Sequence, residues 1–440
     1  MAGANHDDPW DALRALAMGR RVELSDGKGQ LWTGTTVSRP ENSAGRIVRL
    51  KLDSGYNVGI RVEPTFRFRV LDSSPDRVAA SPAAPSTGSS RSPADVGWVA
   101  LLTTGGTIAS RVDYETGGVR PVKDEREILS FYPELEAAGS VRIIPVFDRL
   151  SEDITPEDWT LLATRVVAAF REEARGVVVA HGTDTLAFTA AALSFLLADL
   201  PGPVVLVGAQ RSPDRPSSDG ASNLAAAVRV ARDGAFGDVV VVMHAGLSDD
   251  RFAIHRGTCV RKMHSSRRDA FESRNGPPLG HVDVDGVHLI AAAREPAAGP
   301  PRVDGPLDPA GGLLWFYPGL PPHQAETFAT GLRGIVLAGT GLGHVASTHL
   351  DWIRRATGRG VVVAMTTQCL EGNADPLVYA TGRELQRAGV LYLGDLLPET
   401  AYAKLLWALG HGADRPAVEA LLLSDVAGEF HWRHVSGGDP

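Results

Sequence analysis

From residue 98 onward, short apolar runs alternate with longer amphipathic stretches of helical period. The apolar runs cover residues 99–102, 176–180, 204–207, 239–242, 334–337 and 360–365. Strands spaced by helices in this way predict a largely parallel sheet with helices on both faces. The pattern is interrupted at residues 295–301 by Glu-Pro-Ala-Ala-Gly-Pro-Pro. We therefore expect a larger α/β lobe at 97–294, a connector at 295–310 and a smaller α/β lobe at 311–440.

The first seventy residues or so follow a different, strand-like alternation. Segments such as Arg-Val-Glu-Leu at 21–24 and Tyr-Asn-Val-Gly-Ile-Arg-Val at 56–62 are separated by turn sequences, among them Asp26-Gly27. About five strands in roughly fifty residues predict a small β barrel of SH3 or Tudor type, which we assign to residues 1–72. Residues 73–96 are rich in proline, serine and alanine, a composition that predicts a flexible linker.

The length and the net charge of the chain indicate how many domains to expect and whether the protein attracts nucleic acid. A chain of 440 residues exceeds what one hydrophobic core usually organises, so two or three domains are expected. The net charge of −8 gives no reason to expect broad attraction to nucleic acid. Residues 1–72 nevertheless carry +2, with 11 lysines and arginines against 9 aspartates and glutamates. A solvated, nearly neutral surface explains that excess better than a nucleic-acid contact does.

The cysteines and the first residues of the chain indicate the cellular compartment of the protein. Cys259 and Cys369 lie far apart in the sequence and lack metal-ligand spacing, so reduced, structural thiols are expected. The acidic first residues contain no apolar stretch of signal-peptide type, and no later run reaches the length of a transmembrane helix. The sequence therefore predicts a cytoplasmic protein without membrane attachment.

Polar clusters follow two of the apolar runs. One reads Leu-Leu-Thr-Thr-Gly-Gly-Thr-Ile-Ala-Ser at 101–110, and the other reads Val-Val-Val-Ala-His-Gly-Thr-Asp-Thr at 177–185. Open α/β sheets bind their ligands at the carboxyl ends of such strands. A threonine after two glycines, Thr107, lies on a turn that glycine permits, and its hydroxyl becomes a nucleophile only with a base and a cation beside it. Thr183 and Asp184 could supply part of that activation.

The strings Thr-Gly-Gly-Thr-Ile-Ala and His-Gly-Thr-Asp-Thr resemble the two signatures of the asparaginase/glutaminase family, which hydrolyses side-chain amides through a threonine acyl-enzyme. Within it, residues 18–435 most resemble the D subunits of archaeal-type Glu-tRNA(Gln) amidotransferases, because a small β domain precedes the catalytic part. The stretch Lys-Leu-Asp-Ser-Gly-Tyr-Asn-Val-Gly-Ile at 51–60 carries that likeness. The resemblance implies an asparaginase-like α/β fold of two lobes with parallel sheets, after a small SH3/Tudor-like barrel. It also implies a homodimer.

The resemblance also implies roles for particular residues. Thr107 would be the nucleophile, and Tyr114 would bridge it to the second threonine when a lid closes. Thr183, Asp184 and Lys262 would form the second set. Lys262 and Thr183 would pass a proton to the leaving ammonia or take one from water, whereas Asp184 could instead fix the α-ammonium of the substrate.

Simpler interpretations exist for these residues. Thr107 could cap the next helix, Tyr114 could be an exposed loop residue, and Lys262 could belong to a solvated basic face. By resemblance, Ser151 helps to hold the α-carboxylate of the substrate. It precedes Thr155-Pro156, which predict the cap and first turn of a helix.

Several neighbouring residues are predicted to have no catalytic role. His181 has no separate partner for a Ser/His/Asp arrangement, so a structural hydrogen bond is the better interpretation. Guanidinium groups are too basic to exchange protons near neutrality, so Arg261, Arg267 and Arg268 are expected to form ion pairs or a partner surface. The Gly-Thr-Gly-Leu-Gly at 339–343 lacks the full spacing of a dinucleotide loop.

Three functions follow from these observations. In the first, the chain releases ammonia from glutamine or asparagine for a tRNA-dependent amidotransferase. No phosphate-binding Gly-x-x-x-x-Gly-Lys-Ser/Thr motif occurs, so no cofactor is expected in this chain. ATP and Mg would instead be bound by a partner that resembles the E subunit of such an enzyme. The same partner would handle the tRNA. The second function is a free-standing L-asparaginase with an accessory N-terminal domain. The third is an inactive tRNA- or partner-binding protein. No clustered metal ligands are evident, and the threonine mechanism requires none.

Overall fold

The structure, a computed structural model, describes residues 10, 13, 16, 20–26, 29–36, 46–52, 57–71, 97–105, 110–112, 119–121, 141–211 and 218–431. Thr107, Tyr114 and the predicted linker at 73–96 lie outside these ranges. None of the helices within the described residues is both long and apolar enough to span a bilayer.

The N-terminal region forms a five-stranded antiparallel sheet in which β4 and β5 lie at the two edges. Alternate side chains such as Val22, Leu24 and Leu50 point into a small core of its own, and Trp32 stacks on Phe66. This sheet confirms the five strands predicted from alternation. The strands are β1 (Arg21–Ser25), β2 (Leu31–Thr36), β3 (Ile47–Leu52), β4 (Asn57–Arg61) and β5 (Arg67–Val70).

The middle of the chain builds an eight-stranded sheet in the order β18-β17-β14-β13-β12-β10-β6-β9, with a separate hairpin of β7 and β8. The strands described in this part of the chain, inside and outside that sheet, are β6 (Val99–Thr103), β7 (Ser110–Val112), β8 (Val119–Pro121), β9 (Val141–Pro145), β10 (Gly176–Ala180), β11 (Leu197–Ala198), β12 (Val204–Val207), β13 (Val239–His244), β14 (Phe252–Arg256), β15 (Val260–Lys262), β16 (Phe271–Ser273), β17 (Gly280–Val282) and β18 (Val287–Leu289). Three helices join them: α1 (Pro156–Arg171), α2 (Leu186–Leu196) and α3 (Gly220–Asp233).

The burial of a strand decides whether the hydrophobic pattern of the sequence predicts it. The strands from β13 to β9 in the sheet order are parallel, and β10 and β12 are buried at every position. Their continuous apolar runs are typical of strands covered on both faces. In contrast, β14, β17 and β18 extend the sheet in antiparallel fashion, and the hydrophobic pattern does not predict them. They are three to five residues long, and each includes a histidine among its apolar residues.

The C-terminal lobe contains a four-stranded parallel sheet in the order β20-β21-β22-β23. The strands of this region are β19 (Arg302–Val303), β20 (Gly311–Trp315), β21 (Gly334–Gly339), β22 (Val362–Thr367) and β23 (Val390–Tyr392), and the helices are α4 (Pro322–Phe328), α5 (Leu350–Gly358), α6 (Ala380–Arg387), α7 (Pro398–His411) and α8 (Arg415–Leu423). The predicted start of β22 at residue 360 is two residues early, because Gly360 has a φ of 87° and belongs to the turn after α5.

The two lobes share a hydrophobic core. Helix α7 belongs to the C-terminal lobe in sequence, yet its apolar side chains pack into the core of the larger sheet, where Trp407 stacks on Phe195 at 6.0 Å. Strand β19, within the predicted connector, pairs with β11. Lys404 of α7 is fully buried, and its charge is paired with Glu429 at 2.6 Å. The C-terminal lobe is therefore tied to the larger lobe by packing as well as by the chain.

Polar contacts also cross the seam between the lobes. Asn275, at a positive φ of 61°, donates to the carbonyl of Asp395 at 2.8 Å. The carboxylate of Asp395 in turn lies 2.9 Å from Nδ1 of His431, whose Nε2 is 3.9 Å from the thiol of buried Cys259. Hydrogen bonds to Asp395 and Cys259 raise the pKa of His431 to about 10. His431 is therefore a cation at neutral pH in the folded protein.

We predict that His431→Gln lowers the free energy of unfolding by about 2–4 kcal/mol near pH 6, a figure that allows for solvent screening of the partly exposed ring. The folded pKa lies above the unfolded value, so this stabilisation is fully present below about pH 6.5 and is lost as the pH rises through about 10. Urea titrations across that range measure it, with the exposed His323→Gln as control. A deficit of the same size at every pH would show that protonation of His431 does not contribute.

Candidate active site

The second polar cluster lies at the carboxyl edge of the large sheet. Strands β6, β10 and β12 are parallel neighbours, so their carboxyl ends meet at one edge. The chain leaves β10 as His181-Gly182-Thr183-Asp184, and α2 begins two residues later. Thr183 is buried, whereas the Asp184 side chain is 70% exposed. One side chain is thus fixed by packing, and the next can be reached from solvent.

Lys262 joins these two residues. It ends β15, far along the chain, and its Nζ donates to Thr183 Oγ1 at 2.7 Å and to Asp184 Oδ1 at 2.7 Å. The lysine side chain is only 13% exposed. Charge-assisted hydrogen bonds of this length are stronger than neutral ones and fix the ammonium group. The structure thus brings together three of the residues predicted for the site.

Strand β15 is held in place by the C-terminal lobe. Arg261, next to Lys262, pairs with Glu399 in the first turn of α7 at 3.2 Å. The hydroxyl of Thr400 donates to the Thr258 carbonyl at 2.6 Å, just before the strand. The position of Lys262 therefore depends on α7 as well as on its own lobe.

Two glycines allow the residues of the site to approach one another. A Cβ at Gly182 would lie 2.7 Å from Cβ of Ser151, and one at Gly208 would lie 2.6 Å from Cγ2 of Thr183. Real Cβ atoms do not come so close, so larger residues would displace Ser151 or Thr183.

Ser151 lies directly beside this turn. It begins a short 3₁₀ turn (Ser151–Asp153) and is buried, with its Oγ 3.4 Å from Glu152 Oε2. Its carbonyl accepts a hydrogen bond from Thr185 Oγ1 at 2.7 Å. Sequence reasoning assigns no role to Thr185, the last residue of the second cluster. The only signal in the sequence is the place of Thr185 in that cluster. The hydrogen bond joins residues thirty-four positions apart, so no local pattern indicates it.

The helix start predicted after Ser151 is confirmed. Thr155 is the N-cap of α1, Pro156 is its first residue, and the backbone N–H of Thr155 donates to the Asp158 carboxylate at 2.9 Å. Arg149 lies 3.5 Å from the same carboxylate. This reciprocal cap satisfies donors at the helix end and fixes the segment that carries Ser151.

The first polar cluster is described as far as Gly105. Thr104 donates through both its backbone N–H and its hydroxyl to the Ala180 carbonyl, at 3.2 and 3.0 Å. Gly105 has a φ of 96°, and a Cβ there would lie 2.5 Å from the Arg149 carbonyl oxygen. These contacts hold the start of the first cluster against the end of β10. The sequence continues through Gly106 to Thr107, and both Thr107 and Tyr114 lie outside the described residues.

His181 makes structural hydrogen bonds. It is fully buried, with Nδ1 2.7 Å from the Gly182 carbonyl and Nε2 2.9 Å from the Thr189 hydroxyl. A carbonyl only accepts, so Nδ1 carries the proton and Nε2 accepts from Thr189. Burial lowers the pKa of His181 to about 4. The ring is therefore neutral near pH 7 and orients the turn.

The nearby arginines all form ion pairs, as predicted. Arg261 pairs with Glu399, Arg267 with Asp269, and Arg268 with Asp249 at 3.1 Å.

Family models cover most of the chain. The model described as "Asparaginase, N-terminal" matches residues 98–294, and that described as "Glutaminase/Asparaginase C-terminal domain" matches residues 312–422. A third, "GatD N-terminal domain", matches residues 16–71. Solved structures agree with the first two models. The L-asparaginase of Thermococcus kodakarensis aligns with a TM-score of 0.69 at 35% identity, and L-asparaginase I of Vibrio cholerae with 0.66 at 29%. Each match covers 76% of this chain and 99% of the other. The α/β part is thus an amidohydrolase of asparaginase type.

Curated relatives extend the likeness to nearly the whole chain. The D subunit of glutamyl-tRNA(Gln) amidotransferase from Saccharolobus islandicus (strain M.16.27) is 44% identical over 97% of this chain and 96% of its own length. The protein of the same name from Methanopyrus kandleri is 43% identical over 96% and 93%. The chain therefore belongs to the family of glutamyl-tRNA(Gln) amidotransferase D subunits, within the asparaginases and glutaminases.

Proposed function

We propose that this chain releases ammonia from the side-chain amide of glutamine, or of asparagine, through an acyl-enzyme on Thr107. The ammonia then serves the conversion of Glu-tRNA(Gln) to Gln-tRNA(Gln) on a partner protein. The observation that carries the proposal is the placement of Lys262 Nζ at 2.7 Å from both Thr183 Oγ1 and Asp184 Oδ1. This cluster lies at the sheet edge that Thr104 and Gly105 reach from the neighbouring strand.

The proposed reaction has two acyl-transfer steps. The Thr107 hydroxyl attacks the amide carbon and gives up its proton, the carbon–nitrogen bond breaks, and ammonia leaves with a proton. Water then attacks the resulting ester, which frees Thr107 and the acidic product. The hydrogen-bonded Lys262 and Thr183 form a route for these protons, and Tyr114 links that route to Thr107.

Two further residues recognise the amino-acid end of the substrate. Ser151, buried beside Gly182, is assigned to the α-carboxylate. Asp184 is assigned to the α-ammonium, because its carboxylate is exposed although Lys262 occupies one of its oxygens. A carboxylate binds the charged α-ammonium of a free amino acid more strongly than a neutral amide nitrogen at the same position.

We infer a partner protein because the proposed conversion needs an ATP-dependent step for which this sequence has no recognised motif. Conversion of the glutamyl carboxylate to an amide requires activation by ATP, and this sequence has no P-loop motif. ATP, Mg and the tRNA acceptor are therefore assigned to a partner that resembles the E subunit of such amidotransferases. The N-terminal domain supports this assignment, since amidotransferase D subunits match 97% of the chain and the solved asparaginases 76%. We also propose a homodimer as the assembled form of this chain.

We predict that Lys262→Arg reduces amide hydrolysis nearly as far as Lys262→Met, by about 10²–10⁴-fold. Arginine keeps the charge but does not release its proton near neutral pH. Ammonia release from glutamine and asparagine measures the effect, and circular dichroism reports on folding. Arg267→Lys, which alters the ion pair of Arg267 with Asp269, is the matched control. A nearly normal Lys262→Arg rate would limit the lysine to an electrostatic role.

The assembly with a partner makes a separate prediction. Hydrolysis of glutamine by the full-length chain should rise when partner, ATP and Glu-tRNA(Gln) are all present, because ammonia made without an acceptor is wasted. Such coupling requires two sites whose states influence each other. The assay compares each omission, with Lys262→Met as a blank. Strong asparagine hydrolysis that is unchanged in every condition would favour a free-standing asparaginase instead.

A further inference from the structure

A hairpin at the edge of the large sheet brings together residues that the sequence spacing does not group. Strands β17 and β18 pair so that His281 faces His288 directly across the hairpin. Asp283, two residues after His281, begins the turn between them. The spacing His-x-Asp-x-x-x-x-His matches no common metal motif, and the three residues meet only because the chain reverses.

The geometry of the three side chains suits a metal ion. His288 Nε2 lies 3.2 Å from Asp283 Oδ1, and His281 Nε2 lies 3.5 Å from Asp283 Oδ2. One ligand atom from each residue lies within 4.8 Å of the others. Ligands about 2.0–2.1 Å from a tetrahedral zinc ion are about 3.3 Å apart, and each imidazole lies at about that distance from one of the two oxygens of Asp283.

The turn that carries Asp283 is held rigidly. The Asp285 N–H donates to Asp283 Oδ1 at 3.0 Å, and the Asp283 N–H donates to the Gly286 carbonyl at 3.1 Å. From α3, the guanidinium of Arg229 donates to the carbonyls of Asp283 and Val284. Supporting hydrogen bonds of this kind orient metal ligands before the ion arrives.

The two imidazole rings lie against each other across the hairpin. They stack with centroids 4.9 Å apart. Neutral imidazoles each offer a lone pair, and together with one carboxylate they form a ligand set common to zinc and related divalent metals.

We propose that His281, Asp283 and His288 form a binding site for a divalent transition metal of the zinc class. The site lies apart from the amidase centre, because β14, β13 and β12 separate β17 from β10 in the sheet. At about 4.8 Å per strand spacing, β17 and β10 lie about 19 Å apart. The ion cross-links the outermost hairpin and so protects an exposed sheet edge.

Zinc titration by calorimetry on the full-length protein, stripped with EDTA and free of any histidine tag, tests the proposal. We expect one zinc ion per chain at about pH 7.5. His288→Gln should weaken binding by at least about tenfold, and the double variant His281→Gln/His288→Gln should abolish it. His323→Gln, an exposed histidine elsewhere, should bind as the unmodified chain does.

Hydrogen exchange locates the ion independently. Zinc should slow amide exchange at residues 280–289 in the unmodified chain and not in the double variant, while both proteins hydrolyse glutamine at the same rate. Failure to bind zinc saturably, or binding that survives in the double variant, would overturn the proposal. Neither result bears on the proposed amidase, which does not involve these residues.

Discussion

The arrangement at the candidate site depends on the Lys262 ammonium group, which donates at 2.7 Å to a buried threonine and to an exposed aspartate. A buried ammonium is costly unless its charge and donors are satisfied. Asp184 supplies the opposite charge and Thr183 an acceptor, so the lysine can be largely buried where a threonine hydroxyl lies within reach. In the proposed mechanism, the lysine exchanges protons through the same contacts.

The rest of the fold maintains that contact. Thr183 is fixed because Gly208 lets its methyl group approach the next strand, and Ser151 is fixed because Gly182 leaves room for it. On the other side, the Arg261–Glu399 pair ties β15 to α7 of the C-terminal lobe. The two lobes therefore act as one support for a site that is formed largely by the first.

The sequence predicts the parts of this structure that depend on local pattern. The strands Gly176–Ala180 and Val204–Val207 have their predicted bounds, because buried parallel strands are continuous apolar runs. The antiparallel strands β14, β17 and β18 are not predicted, because they are short and mix apolar with polar side chains. At the site, resemblance groups Thr183, Asp184 and Lys262, which the structure brings together. The bond from Thr185 to Ser151 could not be predicted, because it depends on how α1 and α2 pack.

The proposed catalytic cycle requires that Thr107 form the acyl-enzyme that the Lys262 cluster serves. Rapid acid quenching during glutamine turnover, followed by peptide mapping with mass spectrometry, detects such an ester. The unmodified chain is quenched during its first turnovers at saturating glutamine. We expect a glutamyl ester on the peptide that contains Thr107, and its loss when Thr107→Ala is added. An ester on another residue, or one that persists without the Thr107 hydroxyl, would contradict this assignment.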